Sequence, residues 1–284
     1  MSTPTSPDVV RDPTAWFAII AVAVAAVLAV VVLIAGIRGG DDAEAVTARS
    51  DGSGSITATD AAPIDLDDGA VADPDADPTV VIAQAAEAMA QVRSVEFELD
   101  RDGAPIFIDQ FQSIALDDLI GQFTVPTRAQ AQLTVTVDGD LTTRIGAVAI
   151  NDEVWISNPV TGNFETLPDG YDIDPSRFFD PQGGWQPLLA NLRDVELVGI
   201  EDRGGQRYHL RGTAPSAEVA NITVGLVRDQ DVPVDLWIHP TTSLVTHAEF
   251  DTLIDGAESS WALALDRYGD AFSIEPPENL RGGG

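Results

Sequence analysis

From residue 94 onward, apolar and polar residues alternate in short runs, and this period of two restricts the fold more than any other feature. The run "SVEFELD" sets Val95, Phe97 and Leu99 against Glu96, Glu98 and Asp100. The run "AQLTVTVDGDLTTRIGAVAI" sets Leu133, Val135 and Val137 against Thr134 and Thr136, and its Asp138-Gly139 pair predicts a hairpin turn. Successive side chains of a strand point to opposite faces, so such runs build a sheet with one apolar face. "NDEVWISN" with "NFETLP" reads as another pair. So do "VELVGIED" and "RYHLRGT" across "RGGQ", and "VPVDLWIHP" and "LVTHAEFDT" across "TTS". "SSWALALDRYG" and "AFSIEPP" close the series of strands.

Helical spacing interrupts this series in few places. "TVVIAQAAEAMAQVRS" carries Val81 or Ile82, Ala85, Met89 and Val92 on one face. In "DPSRFFDPQGGWQPLLANLRD", Trp185, Leu188, Leu189 and Leu192 lie at i, i+3, i+4 and i+7, with Pro187 in the first turn. Residues 215–221 predict a third, short helix. The domain is therefore mainly antiparallel sheet, with two or three helices available to cover its apolar face.

Ahead of it stands "AWFAIIAVAVAAVLAVVVLIAGIRGG". The 23 residues from Ala15 to Ile37 carry no charge. At about 1.5 Å per residue they make roughly 34 Å of helix, enough to cross a ~30 Å hydrocarbon core. A secretory signal has an apolar region of only about 7–15 residues. Length favours a permanent transmembrane helix over 15–37, after a polar tail over 1–14. Cleavage is the alternative, but the small-x-small sequence Ala43-Glu44-Ala45 lies well past the apolar run. A lipidated leader needs a cysteine, and the chain has none. Arg11 precedes the span while Arg38 and Arg49 follow it, so charge does not orient it. Residues 38–76, rich in Asp, Ala, Gly, Ser and Thr, read as an acidic disordered linker to a domain over 77–284.

The formal charge of −31, with all 15 basic residues arginine, excludes nucleic acid as a partner, because no basic surface exists to neutralise phosphates. It equally excludes recruitment to anionic lipid by charge. The linker's "DPDADP" sets Asp73, Asp75 and Asp77 at calcium-loop spacing, but Pro78 and Gln84 stand where such a loop needs Gly and Glu. The histidines are His209, His239 and His247, and the last two flank one hairpin turn. Two histidines on a hairpin are more often surface polar residues than ligands, so no metal and no cofactor is expected. No nucleophile elbow, phosphate loop, zinc-protease motif or dinucleotide fingerprint is present, and the chain reads as no enzyme.

What remains is an apolar sheet face and an apolar helix. They build either an ordinary core or, if sheet and helices close incompletely, a cavity for acyl chains. At ~0.8 kcal/mol per buried CH₂, a sixteen-carbon chain offers roughly 12 kcal/mol of gross transfer energy, with no catalytic group required.

The segment "FFDPQGGWQPLLANLRDVELVGIEDRGGQRYHLRGTAP" resembles the LppX/LprA/LprF/LprG lipoproteins of actinobacterial cell envelopes. There an Asp-Pro near a glycine leads into an amphipathic helix, then a strand, a Gly-containing turn and a strand ending in Gly-Thr. "PVDLWIHPTTSLVTHAEF" is similar to that family's following hairpin, with His239 and Pro240 at its acidic end, and "LALDRYGDAFSIEPP" to its closing strand. The resemblance implies an α+β fold, a curved antiparallel half-barrel sheet covered by helices and here preceded by one transmembrane helix. It also implies a lipid or acylated glycolipid held in an apolar cavity and moved through the envelope, with the domain extracytoplasmic. The span over 15–37 takes the place of the missing lipidated cysteine. Candidate cavity residues are Val95, Phe97, Leu99, Leu133 and Val135 on the sheet, and Trp185, Leu188, Leu189 and Leu192 on the covering helix. Gly183 and Gly184 are candidate hinges of a gate. An anchored envelope assembly module without lipid is the alternative, and a transporter partner is left unidentified.

Overall fold

The computed structural model describes residues 62–66, 69–107, 112–126, 128–151, 153–158, 161–166, 185–222, 227 and 229–280. In chain order these form α1 (Pro78–Met89), β1 (Ser94–Gly103), β2 (Ile106–Phe107), β3 (Ile114–Thr124), β4 (Arg128–Val137), β5 (Leu141–Ile150), β6 (Glu153–Ser157) and β7 (Phe164–Thr166). Then follow α2 (Trp185–Ala190), β8 (Arg193–Asp202), β9 (Gln206–Ala214), α3 (Ser216–Ile222), β10 (Val232–Ile238), β11 (Val245–Ile254) and β12 (Ala257–Asp266). The expected span over 15–37 lies outside the described residues. Among those described, no helix is long and apolar enough to cross a membrane.

The strands form one antiparallel sheet in the order β7-β6-β5-β4-β3-β1-β12-β11-β10-β9-β8, with β2 added beside β3. Two meanders, β3 to β7 and β8 to β12, are joined because β1 lies between β3 and β12. The hairpins follow the turn chemistry read from the sequence. Asp138 and Gly139, between β4 and β5, take positive φ of 50° and 79°, a conformation that Asp and Gly tolerate best.

Helix α1 starts where its cap predicts. Asp77 accepts the backbone N–H of Thr79 at 2.8 Å, and Pro78 opens the helix. Its buried face is Val81, Ile82, Ala85, Ala86 and Met89. The helix stops at Met89, and Val92 is buried in the connection to β1. In α2 the helix ends at Ala190, so Leu192 sits just beyond it, partly buried.

Two expectations are corrected. "AFSIEPP" is not a strand. It runs over the outer face, burying Ile274 with Val148, Ile150 and Trp155, and Arg128 donates to the Ile274 carbonyl at 2.6 Å. Pro276 and Pro277 have no N–H for a ladder, and only Leu280 reaches an isolated bridge, with Phe164.

The second correction concerns the linker, whose last part is not free chain. Ile64 donates its N–H to the Tyr268 carbonyl at 2.8 Å, Ala72 to Gln206 Oε1 at 2.8 Å and Asp73 to Tyr208 Oη at 3.0 Å. Arg207, 3% exposed, donates to the carbonyls of Leu66 and Gly204, each at 2.9 Å. Residues 62–66 and 69–76 thus form a strap along the domain, held mainly through its backbone. Arg207→Met removes the cation that ties the strap to the β8–β9 turn. Limited proteolysis is expected to cut within 62–73 several-fold faster in that variant, at unchanged midpoint for the domain. An unchanged cleavage rate would show that the strap does not depend on Arg207.

Candidate functional site

The inner face of the sheet is assembled in register. Leu263, Leu99, Leu119, Leu133 and Ile145 stand directly opposite one another across β12, β1, β3, β4 and β5. The next row is Leu265, Phe97, Gly121, Ala131, Ala147 and Ile156. A third holds Val95, Phe123, Ala129, Ala149 and Val154. Val135 lies one row the other way, between Leu116 and Thr143. Period-two alternation turns Glu96, Glu98 and Asp100 to the other face, as their greater exposure reflects.

All nine candidate residues belong to, or pack against, one large apolar core that runs through the domain, in which α2 packs on α1. Val95, Phe97, Leu99, Leu133, Val135, Trp185, Leu188 and Leu189 are buried in a single apolar cluster, and Leu192 packs at its border. Gly183 and Gly184 lie outside the described residues. Small side chains make up half of the middle row, at Gly121, Ala131 and Ala147, and a glycine is required at one point. The Phe97 ring lies across Gly121, where an added Cβ would stand 2.2 Å from Phe97 Cζ. The ring thus fills the space that the neighbouring strand leaves empty.

The two ends of this face differ. At the Val95 end, α1 closes over it. Met89 Sδ is 3.7 Å from Tyr268 Oη, and that hydroxyl donates to the Val245 carbonyl at 2.6 Å. Complete burial pushes the Tyr268 phenol well above its ordinary pKa, so it remains a neutral donor. At the other end of β1 the alternation continues into Arg101, which shares the face of Leu99. Its Nε donates to the Leu116 carbonyl at 2.9 Å, and its Nη1 to Ser259 Oγ at 2.8 Å and to the Ala104 carbonyl. Beside it, Trp261 Nε1 donates to Thr252 Oγ1 at 2.9 Å, and the Trp261 ring stacks on Phe250 at 5.6 Å. The apolar rows end in a polar corner. Sequence reasoning passed over Arg101, although the step of two from Val95, Phe97 and Leu99 points to it.

The outer face carries a second cluster. Trp237 is stacked on His209 at 4.5 Å and covered by the Arg203 guanidinium at 3.7 Å. Glu201 accepts from Trp237 Nε1 at 2.8 Å and lies 2.7 Å from His209 Nδ1, while Asp235 lies 2.6 Å from His209 Nε2. The bond from Trp237, then His209, holds the Glu201 carboxyl below its ordinary pKa. His247 meets Trp237 edge-on at 6.4 Å. His239 instead points into its own turn, where Nδ1 accepts the N–H groups of Thr241 and Thr242 at 3.3 and 3.2 Å. Trp237 thus has His209 and His247 as its histidine neighbours, while His239 stays in the β10–β11 turn. Among the described residues, no group of three or more His, Asp or Glu is placed to hold a metal.

Burial, then the charges of Arg203 and Arg207, keep the His247 imidazole below its ordinary pKa. The unfolded chain therefore takes up that proton first, and stability is lost as pH falls through about 6.5. Urea denaturation between about pH 8 and about pH 5 should show this slope, and His247→Gln should flatten it. An equal slope in the variant would assign the effect to other groups.

The profile of the LppX_LprAFG lipoprotein family matches residues 77–274. Among solved structures, the fold is similar to LprF from Mycobacterium bovis, with a TM-score of 0.58 and 15% identity over 72% of this chain and 98% of that one. It is also similar to the Mycobacterium tuberculosis lipoprotein LppX, with a TM-score of 0.51 and 16% identity over 70% of this chain and 100% of that one. At such identities the likeness is one of fold. No curated protein matches the chain.

Proposed function

Because this chain belongs to the LppX_LprAFG lipoprotein family, we propose that it is an extracytoplasmic carrier holding the acyl chains of a lipid or glycolipid between its sheet and helices. The observation that carries this reading is the inner face itself. Registered apolar rows cross five strands, and α1 and α2 pack against each other rather than being woven into the sheet. Helices held by side-chain packing alone can shift, and ligand then replaces helix on the same surface. The rows offer an acyl chain about 0.8 kcal/mol per CH₂, enough to offset part of that displacement. Val95, Phe97, Leu99, Leu133 and Val135 form the floor in this reading, and Trp185, Leu188, Leu189 and Leu192 the movable cover. The apolar run over 15–37 supplies the anchor, a single membrane pass that leaves the domain in the envelope.

The test is lipid transfer. The full chain is incubated with donor vesicles holding isotope-labelled diacyl lipid, separated from them, and its bound lipid weighed by mass spectrometry. About one lipid per chain is expected. A blank at every lipid tried would sink the carrier reading. It would favour an envelope assembly module, which the complete burial of Leu133 and Val135 would then describe as plain core.

A further inference from the structure

We infer that Arg101 receives the anionic headgroup of the carried lipid, so that the protein selects acidic amphiphiles over neutral ones of equal chain length. This rests on the carrier reading and names its ligand class. On the inner face of the central strands β5, β4, β3, β1 and β12, Arg101 is the one charged residue among those described. A charge is costly to hold beside such a surface unless something compensates it. None of its hydrogen bonds goes to a carboxylate, and Nη2 takes part in none of them. Asp117 and Asp102 act on it only through their field, and both are bonded elsewhere, Asp117 to the Thr136 hydroxyl at 2.7 Å and Asp102 to the Gly103 N–H at 2.8 Å.

The position is equally specific. Arg101 lies six residues along β1 from Val95, or about 20 Å at ~3.3 Å per residue, at the end away from Met89 and Tyr268. An acyl chain laid along β1 over Leu99, Phe97 and Val95 brings its polar end to the guanidinium. Nε and Nη1 hold the guanidinium in place against the protein, and Nη2 is left to a phosphate or carboxylate oxygen. A planar, permanently charged group fixed in this way suits such an anion better than a mobile ammonium.

The experiment offers the full chain in detergent an equimolar mixture of phosphatidylglycerol and diacylglycerol with the same acyl chains, and weighs the bound lipid by mass spectrometry. A charge-assisted hydrogen bond predicts a preference of about tenfold or more for the acidic lipid. Arg101→Met should bring the ratio close to one while diacylglycerol uptake persists, and Arg101→Lys should keep only part of the preference. Wild-type protein that takes both lipids equally would overturn the headgroup assignment and leave the carrier standing. Uptake of neither would overturn the carrier reading itself. If Arg101→Met does not fold, the wild-type ratio and the Lys variant still decide, since an undiminished preference in Arg101→Lys contradicts the fixed fork.

Discussion

Leu133→Ala should lower the unfolding free energy by about 2–5 kcal/mol, among the larger effects of any single truncation in the chain. Leu133 is fully buried at the centre of the row that runs from Leu263 to Ile145. Its neighbours Leu119 and Ile145 belong to strands fixed by ladders on both sides, so they cannot collapse into the space. The cavity is therefore retained and its cost is not relaxed away. Urea denaturation with linear extrapolation measures the loss. The carrier reading adds a second expectation. Saturating diacyl lipid binds the native state alone, and should recover part of the deficit through mass action. A loss below about 1 kcal/mol without lipid would mean that this row is already loosely packed.

Gly121→Ala should cost about 3 kcal/mol, although alanine in an ordinary strand improves on glycine. The reversal has two sources. The new Cβ meets Phe97 Cζ at 2.2 Å and the backbone carbonyl of Gln130 at 2.7 Å. The ring can rotate away, but the carbonyl belongs to the adjacent ladder and cannot. Phe97→Leu in the same chain should therefore rescue only part of the loss. A double-mutant cycle on Gly121 and Phe97 is expected to show coupling of roughly 1 kcal/mol or more. Additivity of the two changes would mean that Phe97 does not rest on Gly121 in solution.

Much of this inner face is legible in the sequence, because alternation is a local property. Val95, Phe97 and Leu99, like Leu133 and Val135, follow from the step of two, and Trp185, Leu188 and Leu189 from the steps of three and four. Other features are not local. The pairing of β1 with β12 brings Leu99 to Leu263, and nothing near either residue signals it. The strap over 62–66 and 69–76 escapes a reading of side chains because its contacts at Ile64, Ala72 and Asp73 are made by backbone N–H groups. The surroundings of the histidines are likewise not local. Turn geometry directs His239 inward to Thr241 and Thr242, whereas strand parity brings His209 onto the face of Trp237 and His247 to its edge. Arg101 was legible by parity, but a charge at the end of an apolar run is read by habit as the start of a loop.

The strap also governs how a leash would act on this domain. Ile64 is fastened to Tyr268, whose neighbour Gly269 donates to the Ser94 carbonyl at the start of β1. Arg101 lies toward the far end of the same strand. In an anchored carrier the pull of the leash would therefore be felt at the Val95 end, with Arg101 toward the opposite end of β1. Docking residues 62–66 and 69–76 also withdraws those thirteen residues from the leash, at most about 47 Å of contour at 3.3–3.6 Å per residue. Undocking them would return that length, so the strength of a few backbone hydrogen bonds would set the carrier's working radius above the membrane.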